Sequence, residues 1–179
     1  MIKAENCGLL VVDVQGKLAN LVCNSQTMLF NIRALIQCCQ VLSIPVVVLE
    51  QNPDGLGATH PIILNSLLSY EPFEKSHFNG LNEQHINTHI SQLNKPTWLV
   101  AGIEAHICVY QTVKGLLAKG LTVEVVADCI ASRLPANVNL AIENMRLAGA
   151  NITGLEMCLF EMMQSSDNVH FKEILKHIK

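Results

Sequence analysis

Two side chains that could carry out covalent chemistry follow apolar runs of this sequence. Cys108 follows the run "TWLVAGI", with Glu104 and His106 as close sequence neighbours, and Asp13 lies near the end of the run "GLLVVDV". A cysteine becomes a good nucleophile only when it loses its proton, so it needs a base or a nearby cation. A carboxylate in an apolar strand is costly without a partner. Both residues are therefore candidates for one site.

The histidine beside Cys108 is not the base that its position suggests. Residues two apart on a helix point to different faces, which disfavours a pair of Cys108 and His106. We expect His106 to line the pocket or to contact a neighbouring subunit. Glu104 would oppose ionisation of the thiol if it pointed inward, so we expect it to hold the turn through hydrogen bonds.

Apolar runs of strand length alternate with segments of helical period along the whole chain. Nearly continuous apolar runs are typical of strands that are covered on both faces of a parallel sheet. Amphipathic segments that end in Gly120 and Gly149 have the form of helices with a glycine after their last turn. The pattern predicts strands at 8–14, 45–50, 97–103, 121–128 and 150–154, and helices at 25–43, 82–93, 105–119, 137–149, 155–164 and 170–178.

This alternation predicts the fold class α/β, as a three-layer α/β/α sandwich with a mostly parallel, doubly wound sheet. Residues 1–179 are expected to form one domain, because no linker or repeat interrupts them. Such sheets bind ligands at the carboxyl ends of their strands. Asp13, Cys108 and Lys75, which lies in the irregular stretch "PFEKSHFNG", are predicted to meet there.

The amino-acid composition limits the kinds of molecule that this protein is expected to bind. Half of the residues are apolar and 15% are charged, which favours a homo-oligomer that buries part of its surface. A formal net charge of -3 without any basic run excludes an electrostatic footprint for nucleic acid. No apolar segment reaches the length that crosses a membrane. We therefore expect a small-molecule partner, no nucleic acid and no membrane.

The seven cysteines do not form the pattern of a disulfide scaffold. Their number is odd, no signal peptide precedes them, and a chain of this length buries a sufficient core without cross-links. No Cys-x-x-Cys pair occurs, which disfavours a zinc or thioredoxin-type motif. The expected environment is reducing, and the expected localisation is cytoplasmic.

Three stretches, "LLVVDVQ", "FEKSHF" and "LVAGIEAHICVYQT", occur in an order and spacing that resemble the isochorismatase-like superfamily of cysteine hydrolases. The stretch "LEQNPDGLGATHP" looks like the metal-free branch of small hydrolases. The resemblance implies a triad in which Asp13 is the carboxylate, Lys75 the cation and Cys108 the nucleophile. It also implies a cis peptide next to the catalytic turn, which we place at Ile103–Glu104.

The implied reaction is hydrolysis of a C–N bond of a small metabolite through a thioester. The helix dipole and Lys75 would stabilise the Cys108 thiolate, and Asp13 would take the thiol proton and later activate water. Backbone N–H groups of the turn formed by Ile103, Glu104 and Cys108 would form the oxyanion hole. The residues expected to line the substrate pocket are Gln15, Gln51, Asn52, Phe78 and His106.

No metal or other cofactor is expected. In relatives that hydrolyse nicotinamide, an Asp and histidines in the loop after the second strand bind a metal, and the spacing of Asp54 and His60 does not match that pattern. His85 and His89 are spaced like a helical metal pair, but no third ligand is evident. Cys108 argues against isochorismate as the substrate, because hydrolysis of a vinyl ether needs no thiol.

Two other functions are compatible with the same residues. The protein could be a binding or regulatory protein that keeps the scaffold but has little turnover. It could also be a thiol redox sensor in which Cys129 or Cys7 approaches Cys108 and resolves its oxidised form.

Overall fold

Six short apolar segments form a single sheet in the computed structural model, which describes residues 1–179. The strand order is β3-β2-β1-β4-β5-β6, and every neighbouring pair is parallel. The predicted α/β class is thus confirmed, and the sheet is entirely parallel. The strands are β1 Cys7–Val12, β2 Val46–Gln51, β3 Phe73–Lys75, β4 Thr97–Ile103, β5 Thr122–Ala131 and β6 Asn151–Thr153.

Helices connect the strands and cover both faces of the sheet. They are α1 Leu18–Leu21, α2 Ser25–Val41, α3 Pro53–Leu56, α4 Pro61–Leu64, α5 Gln84–Gln92, α6 Tyr110–Ala118, α7 Pro135–Leu147, α8 Leu155–Met163 and α9 Phe171–Ile178. A π-helical turn, Ala105–Val109, precedes α6. None of these helices is both long and apolar enough to span a bilayer.

The alternation of side chains along the strands divides the core into two clusters. On β1, Leu9 and Val11 pack with α2, α8 and α9, whereas Leu10 and Val12 pack with α5, α6 and α7 on the opposite face. All seven cysteines are free thiols. Cys108 is the one cysteine in the second cluster. The first cluster contains what we call the core thiols, which are Cys7, Cys38, Cys39, Cys129 and Cys158.

The direction in which the chain winds changes at β1, whose neighbours are β2 and β4. Val12 is paired with Leu49 on one side and with Gly102 on the other. Gly102 has φ +126°, and a Cβ at this position would lie 2.1 Å from the Val12 carbonyl oxygen. A side chain would therefore push β4 away from β1. The close approach brings the residues that follow both strands together at the switch point, where such sheets bind ligands.

Several boundaries differ from the sequence prediction for local reasons. Strand β5 continues to Ala131, three residues beyond the predicted end, after a shift of its register against β4. The predicted loop after β2 contains the one-turn helix α3, which begins with Pro53 at a position that suits proline. Helix α2 begins at Ser25 as predicted but ends at Val41, two residues before the predicted end, and Ser43 has φ +57°.

Candidate active site

Asp13 follows β1 directly and is almost fully buried. Its N–H donates to the Leu49 carbonyl at 3.1 Å, which continues the ladder toward β2, and its φ is +53°. The Asp13 side chain is 3% exposed, and its Oδ1 is buried without a hydrogen-bond partner. Buried polar atoms are almost always paired, and the polar group that interacts with this carboxylate besides Lys75 is the Cys108 thiol.

Lys75 ends β3 and compensates the charge of Asp13. The two side chains form an ion pair of 2.8 Å between Nζ and Oδ2, and the Lys75 side chain is fully buried. Lys75 Nζ also donates to Gln51 Oε1 at 2.6 Å and to the His77 carbonyl at 3.2 Å. Because β2 and β3 pair Gln51 with Lys75, the register of two adjacent strands orients the ammonium.

Cys108 lies in the π-helical turn between β4 and α6. The peptide bond between Ile103 and Glu104 is cis, as the resemblance implied. The Ile107 and Val109 N–H groups both donate to the Glu104 carbonyl, at 3.0 and 3.3 Å. Cys108 is 7% exposed, and its thiol interacts with both Asp13 and Lys75. The structure thus brings together three residues that are far apart in sequence.

The surroundings of Cys108 favour the protonated thiol over the thiolate. Burial, followed by the Asp13 carboxylate, raises the pKa of the Cys108 thiol to about 12, and Lys75 lowers it only in part. Burial also raises the pKa of Asp13 above its ordinary value, against the opposing effect of Lys75. One buried cation adjoins two acidic groups, so the titrations of Asp13 and Cys108 are coupled to each other.

Glu104 is buried beneath Arg133, a residue that the sequence analysis missed. Arg133 donates through Nε and Nη2 to the two carboxylate oxygens of Glu104, while its own side chain is 61% exposed. Glu104 thus forms hydrogen bonds, as we expected of a structural residue, and its side-chain partner is Arg133. Arg133 was missed because β5 was predicted to end at Asp128, whereas it extends almost to Arg133 and delivers it to the same edge of the sheet as Cys108.

His106 points away from Cys108. Its Nδ1 lies 2.9 Å from Ser132 Oγ, and its Nε2 lies 3.2 Å from the Asn137 amide nitrogen and 3.6 Å from Glu104 Oε2. It lines a separate depression with Tyr110 and Leu140. The expectation that His106 lines the substrate pocket is therefore corrected, and the physical reason is that Ser132 and Asn137 engage its ring.

A cavity of about 280 Å³ opens onto Cys108 and is mostly apolar. Of the predicted pocket residues, Gln51 and Phe78 line it. Apart from Asp13, the charged residues that line the cavity are Glu104 and Arg133, which pair with each other. The apolar wall consists of Leu18, Leu56, Phe78, Ile103 and Ile107. The sequence offered no periodic signal for Leu18 or Ile107, because both lie in short turns.

Two predicted pocket residues lie beside this cavity rather than in it. Gln15 is fully buried, and its Nε2 donates to the Gly57 carbonyl at 2.6 Å and to the Gln51 carbonyl at 3.2 Å. Asn52 lines a neighbouring polar depression with Asp54. Gln15 therefore holds loops in place, and Asn52 faces a different surface.

The residues weighed as metal ligands do not converge. No group of three or more His, Cys, Asp or Glu side chains has an arrangement that could hold a metal ion. His60 Nδ1 accepts a hydrogen bond from the Ile62 N–H at the start of α4. His85 and His89 pack against the Phe73 ring.

Similarity to known proteins extends over nearly the whole chain. The family model for the isochorismatase domain matches residues 7–157. The secreted isochorismatase effector Isc1 of Phytophthora sojae is 34% identical over 177 residues, which cover 96% of this chain and 83% of the effector.

Solved structures have the same architecture. The structure described as MAR1 ribonuclease from Caenorhabditis elegans has a TM-score of 0.92 at 35% identity and covers 99% of this chain and 91% of that one. The YcaC gene product of Escherichia coli, described as an octameric hydrolase of unknown specificity, has a TM-score of 0.91 at 18% identity, with coverage of 98% and 89%. The second likeness supports the fold alone.

Proposed function

This chain belongs to the isochorismatase family and is a hydrolase, and on that premise we propose that it cleaves a C–N bond of a small metabolite through a thioester on Cys108. Asp13, Lys75 and Cys108 are the proposed catalytic residues. The observation that carries the proposal is that a buried thiol and a buried carboxylate interact with each other and line the same apolar cavity.

In the first half of the reaction, Asp13 Oδ1 accepts the thiol proton while Sγ attacks the carbonyl carbon of the substrate. The negative charge that develops on sulfur and oxygen is offset by Lys75, which is already held by Asp13 and Gln51. The C–N bond then breaks, and the proton on Asp13 passes to the departing nitrogen. A raised pKa suits Asp13 to this role, because a more basic carboxylate accepts the thiol proton more readily.

In the second half, water enters where the amine left and Asp13 accepts its proton. The hydroxide attacks the thioester, the C–S bond breaks, and the sulfur recovers the proton as the carboxylic acid departs. We propose the Cys108 N–H as the oxyanion donor, since the Ile107 and Val109 N–H groups already donate to the Glu104 carbonyl. The roles of Ile103 and Glu104 are then to shape the turn. These steps use side chains and backbone only, so metal independence is part of the proposal.

A panel of small amides, ureas and carbamates tests the proposal. We expect release of amine from at least one class, and a mass increase equal to the acyl group on the peptide that contains Cys108 when the reaction is quenched with acid. Cys108→Ser should accumulate no thioester. Turnover that proceeds at the same rate in Cys108→Ala would overturn the thioester route.

Cleavage of RNA is a second candidate, because the Caenorhabditis elegans relative at 35% identity is described as a ribonuclease. The net charge of -3 supplies no general attraction for phosphates, and the arginine at the cavity is already paired with Glu104. Labelled single-stranded RNA should therefore remain intact under conditions in which an amide is hydrolysed. Cleavage that is lost in Cys108→Ala would instead favour this second activity.

Assembly and localisation are further parts of the proposal. We propose a homo-oligomer, since the half-exposed or exposed apolar residues Leu134, Leu140 and Leu147 lie on or beside α7. Light scattering on the purified protein measures this directly. A cytoplasmic location remains a prediction, and the Phytophthora sojae relative is described as secreted.

A further inference from the structure

Two large apolar side chains that line the Cys108 cavity are partly exposed to solvent. Phe78 is 53% exposed and Leu56 is 39% exposed, although both line the cavity. They come from different loops, one after β3 and one after β2. Isolated exposed apolar residues need no explanation, but two that line the same cavity as Cys108 form a surface that a ligand can cover.

The loop that carries Leu56 is fixed against the segment that carries Asp13. The Gly16 N–H donates to the Ala58 carbonyl at 3.1 Å, and the Gln15 side chain donates to the Gly57 carbonyl. Gly16 has φ +45°, and a Cβ there would lie 2.1 Å from the Leu56 carbonyl oxygen. A glycine is thus required for the two segments to meet, and their contact holds Leu56 over the cavity.

The turn that carries Phe78 is fixed in the same way. Thr112 Oγ1 accepts from the Gly80 N–H at 3.0 Å, and Glu83 accepts from the His77 N–H at 3.1 Å. The Lys75 ammonium donates to the His77 carbonyl, so the same turn contacts the catalytic cation. Phe78 is therefore positioned together with the reacting groups.

Charge in the cavity is balanced before any substrate binds. Asp13 is paired with Lys75, and Glu104 is paired with Arg133. An additional buried charge on the substrate would lack a free partner, which is costly. A cavity of about 280 Å³ is also slightly below the usual range of roughly 300–1,000 Å³ for small-molecule sites.

We propose that Leu56 and Phe78 form an acyl-binding wall, and that the enzyme acts on small neutral carboxamides with an apolar acyl group. This inference rests on the proposed thioester mechanism. The acyl group stays attached to Sγ while the amine leaves and water enters. The apolar side chains that line the cavity with Cys108 are therefore the surface that can hold the acyl group.

A series of activated esters separates recognition of the acyl group from the difficulty of amide cleavage. We would measure kcat/KM for p-nitrophenyl acetate, propionate and butyrate, and for the hemisuccinate, which adds a carboxylate at a similar length. In the wild-type enzyme we expect kcat/KM to rise by about tenfold for each added methylene, as in apolar enzyme pockets. The hemisuccinate should be a poorer substrate than the butyrate.

Variants assign the effect to the wall. Phe78→Ala and Leu56→Ala should flatten the chain-length series, with a loss of about tenfold for butyrate and a smaller loss for acetate. Leu68→Ala, at a leucine that is 86% exposed and outside the cavity, is the matched control and should leave the series unchanged. Because both wall residues are partly exposed, their replacement should preserve folding, which thermal unfolding would verify.

The outcomes separate the thioester mechanism from the acyl-binding wall. Hydrolysis of the esters that persists in Cys108→Ala would overturn the thioester mechanism. A flat series in a reaction that depends on Cys108 would overturn the acyl wall alone. The same conclusion would follow if the hemisuccinate were the better substrate and lost that advantage in Arg133→Gln.

Discussion

Cys108 and the core thiols lie on opposite faces of the same sheet. The pKa of Cys108 is similar to that of two core thiols, but the charged groups around it are different. Burial raises the pKa of Cys38 and of Cys158 to about 12, which equals the value for Cys108. For Cys38, burial is the only cause. For Cys108, a carboxylate and an ammonium also contribute, with opposite signs.

In the proposed mechanism, the reactivity of Cys108 would therefore not come from a thiol that is acidic before substrate binds. It would come from Asp13 as the base and Lys75 as the cation. The same separation disfavours the redox-sensor hypothesis, because Cys129 and Cys7 belong to the first cluster, across the sheet from Cys108.

The sharpest test removes one sulfur from each face. Cys108→Ala should reduce turnover by on the order of 10⁴-fold or more, as expected for loss of a nucleophile that acts with its partners as a unit. Cys158→Ala should keep its turnover but lose about 1 kcal/mol of unfolding free energy, because its sulfur fills a closed core. Steady-state kinetics and urea unfolding measure both. Equal loss of turnover in the two variants would contradict the comparison.

Removal of the Lys75 ammonium should reveal the free-energy cost of burying the Asp13 carboxylate without a partner. Lys75→Met leaves the Asp13 carboxylate uncompensated and should lower the unfolding free energy by about 3–5 kcal/mol. The double variant Asp13→Asn/Lys75→Met should recover much of this stability while remaining inactive. Lys172→Met, at an exposed lysine, is the control. A double variant no more stable than Lys75→Met would argue against a coupled pair.

The rate at which Cys108 is alkylated tests how the Asp13 carboxylate affects the ionisation of the thiol. Since the Asp13 charge raises the pKa of the thiol, Asp13→Asn should lower that pKa while Lys75 remains. The rate of iodoacetamide labelling at pH 7.5 should then rise by about tenfold for each unit of decrease, although turnover is lost. In the wild-type enzyme the rate should keep rising with pH through the neutral range.

The control for this labelling is the half-buried Cys23, which is outside the site and should react equally in both proteins. Peptide mapping by mass spectrometry resolves the two cysteines. Slower labelling of Cys108 in Asp13→Asn would mean that the carboxylate promotes ionisation of the resting thiol.

The smallest expected effect concerns the turn that joins Lys75 to Phe78. Hydrogen bonds from the Ser76 N–H and from His77 lower the pKa of Glu83 to about 2. Glu83→Gln should therefore cost about 1–2 kcal/mol of unfolding free energy near neutral pH. Because the folded-state pKa is depressed, this difference should persist above about pH 4.5 and shrink as the pH falls toward 2.

Glu143→Gln, at an exposed glutamate on α7, provides the baseline for that measurement. Urea unfolding at several pH values gives the difference between the two variants. A difference that is unchanged between pH 5 and pH 3 would contradict the assigned role of the Glu83 carboxylate.

The main features of the fold could be predicted because they depend on local patterns. Continuous apolar runs such as Leu9–Val12 and Leu99–Ile103 indicated strands covered on both faces, and the helical periods between them required parallel connections. Boundaries were less certain where tertiary pairing extends a strand, as at the end of β5. The meeting of Asp13 and Cys108 followed from the general rule for the carboxyl ends of parallel strands.

Lys75 shows the limit of that rule. It lies in a three-residue strand that has no periodic signal, and only its match to a family motif promoted it over any other lysine. The structure gives the physical reason for its position, which is the pairing of Gln51 with Lys75 across β2 and β3.

By itself, then, the sequence determined the architecture and the chemical types that meet at the switch point, since both follow from short-range periodicity and strand polarity. Only the tertiary structure decided the direction in which the pKa of Cys108 is shifted, because that depends on burial and on charges contributed from far along the chain. It also decided that His106 turns toward Ser132, that Arg133 covers Glu104, and that two separate loops bring Leu56 and Phe78 to one cavity. Those features depend on contacts between segments whose spacing in the sequence carries no pattern.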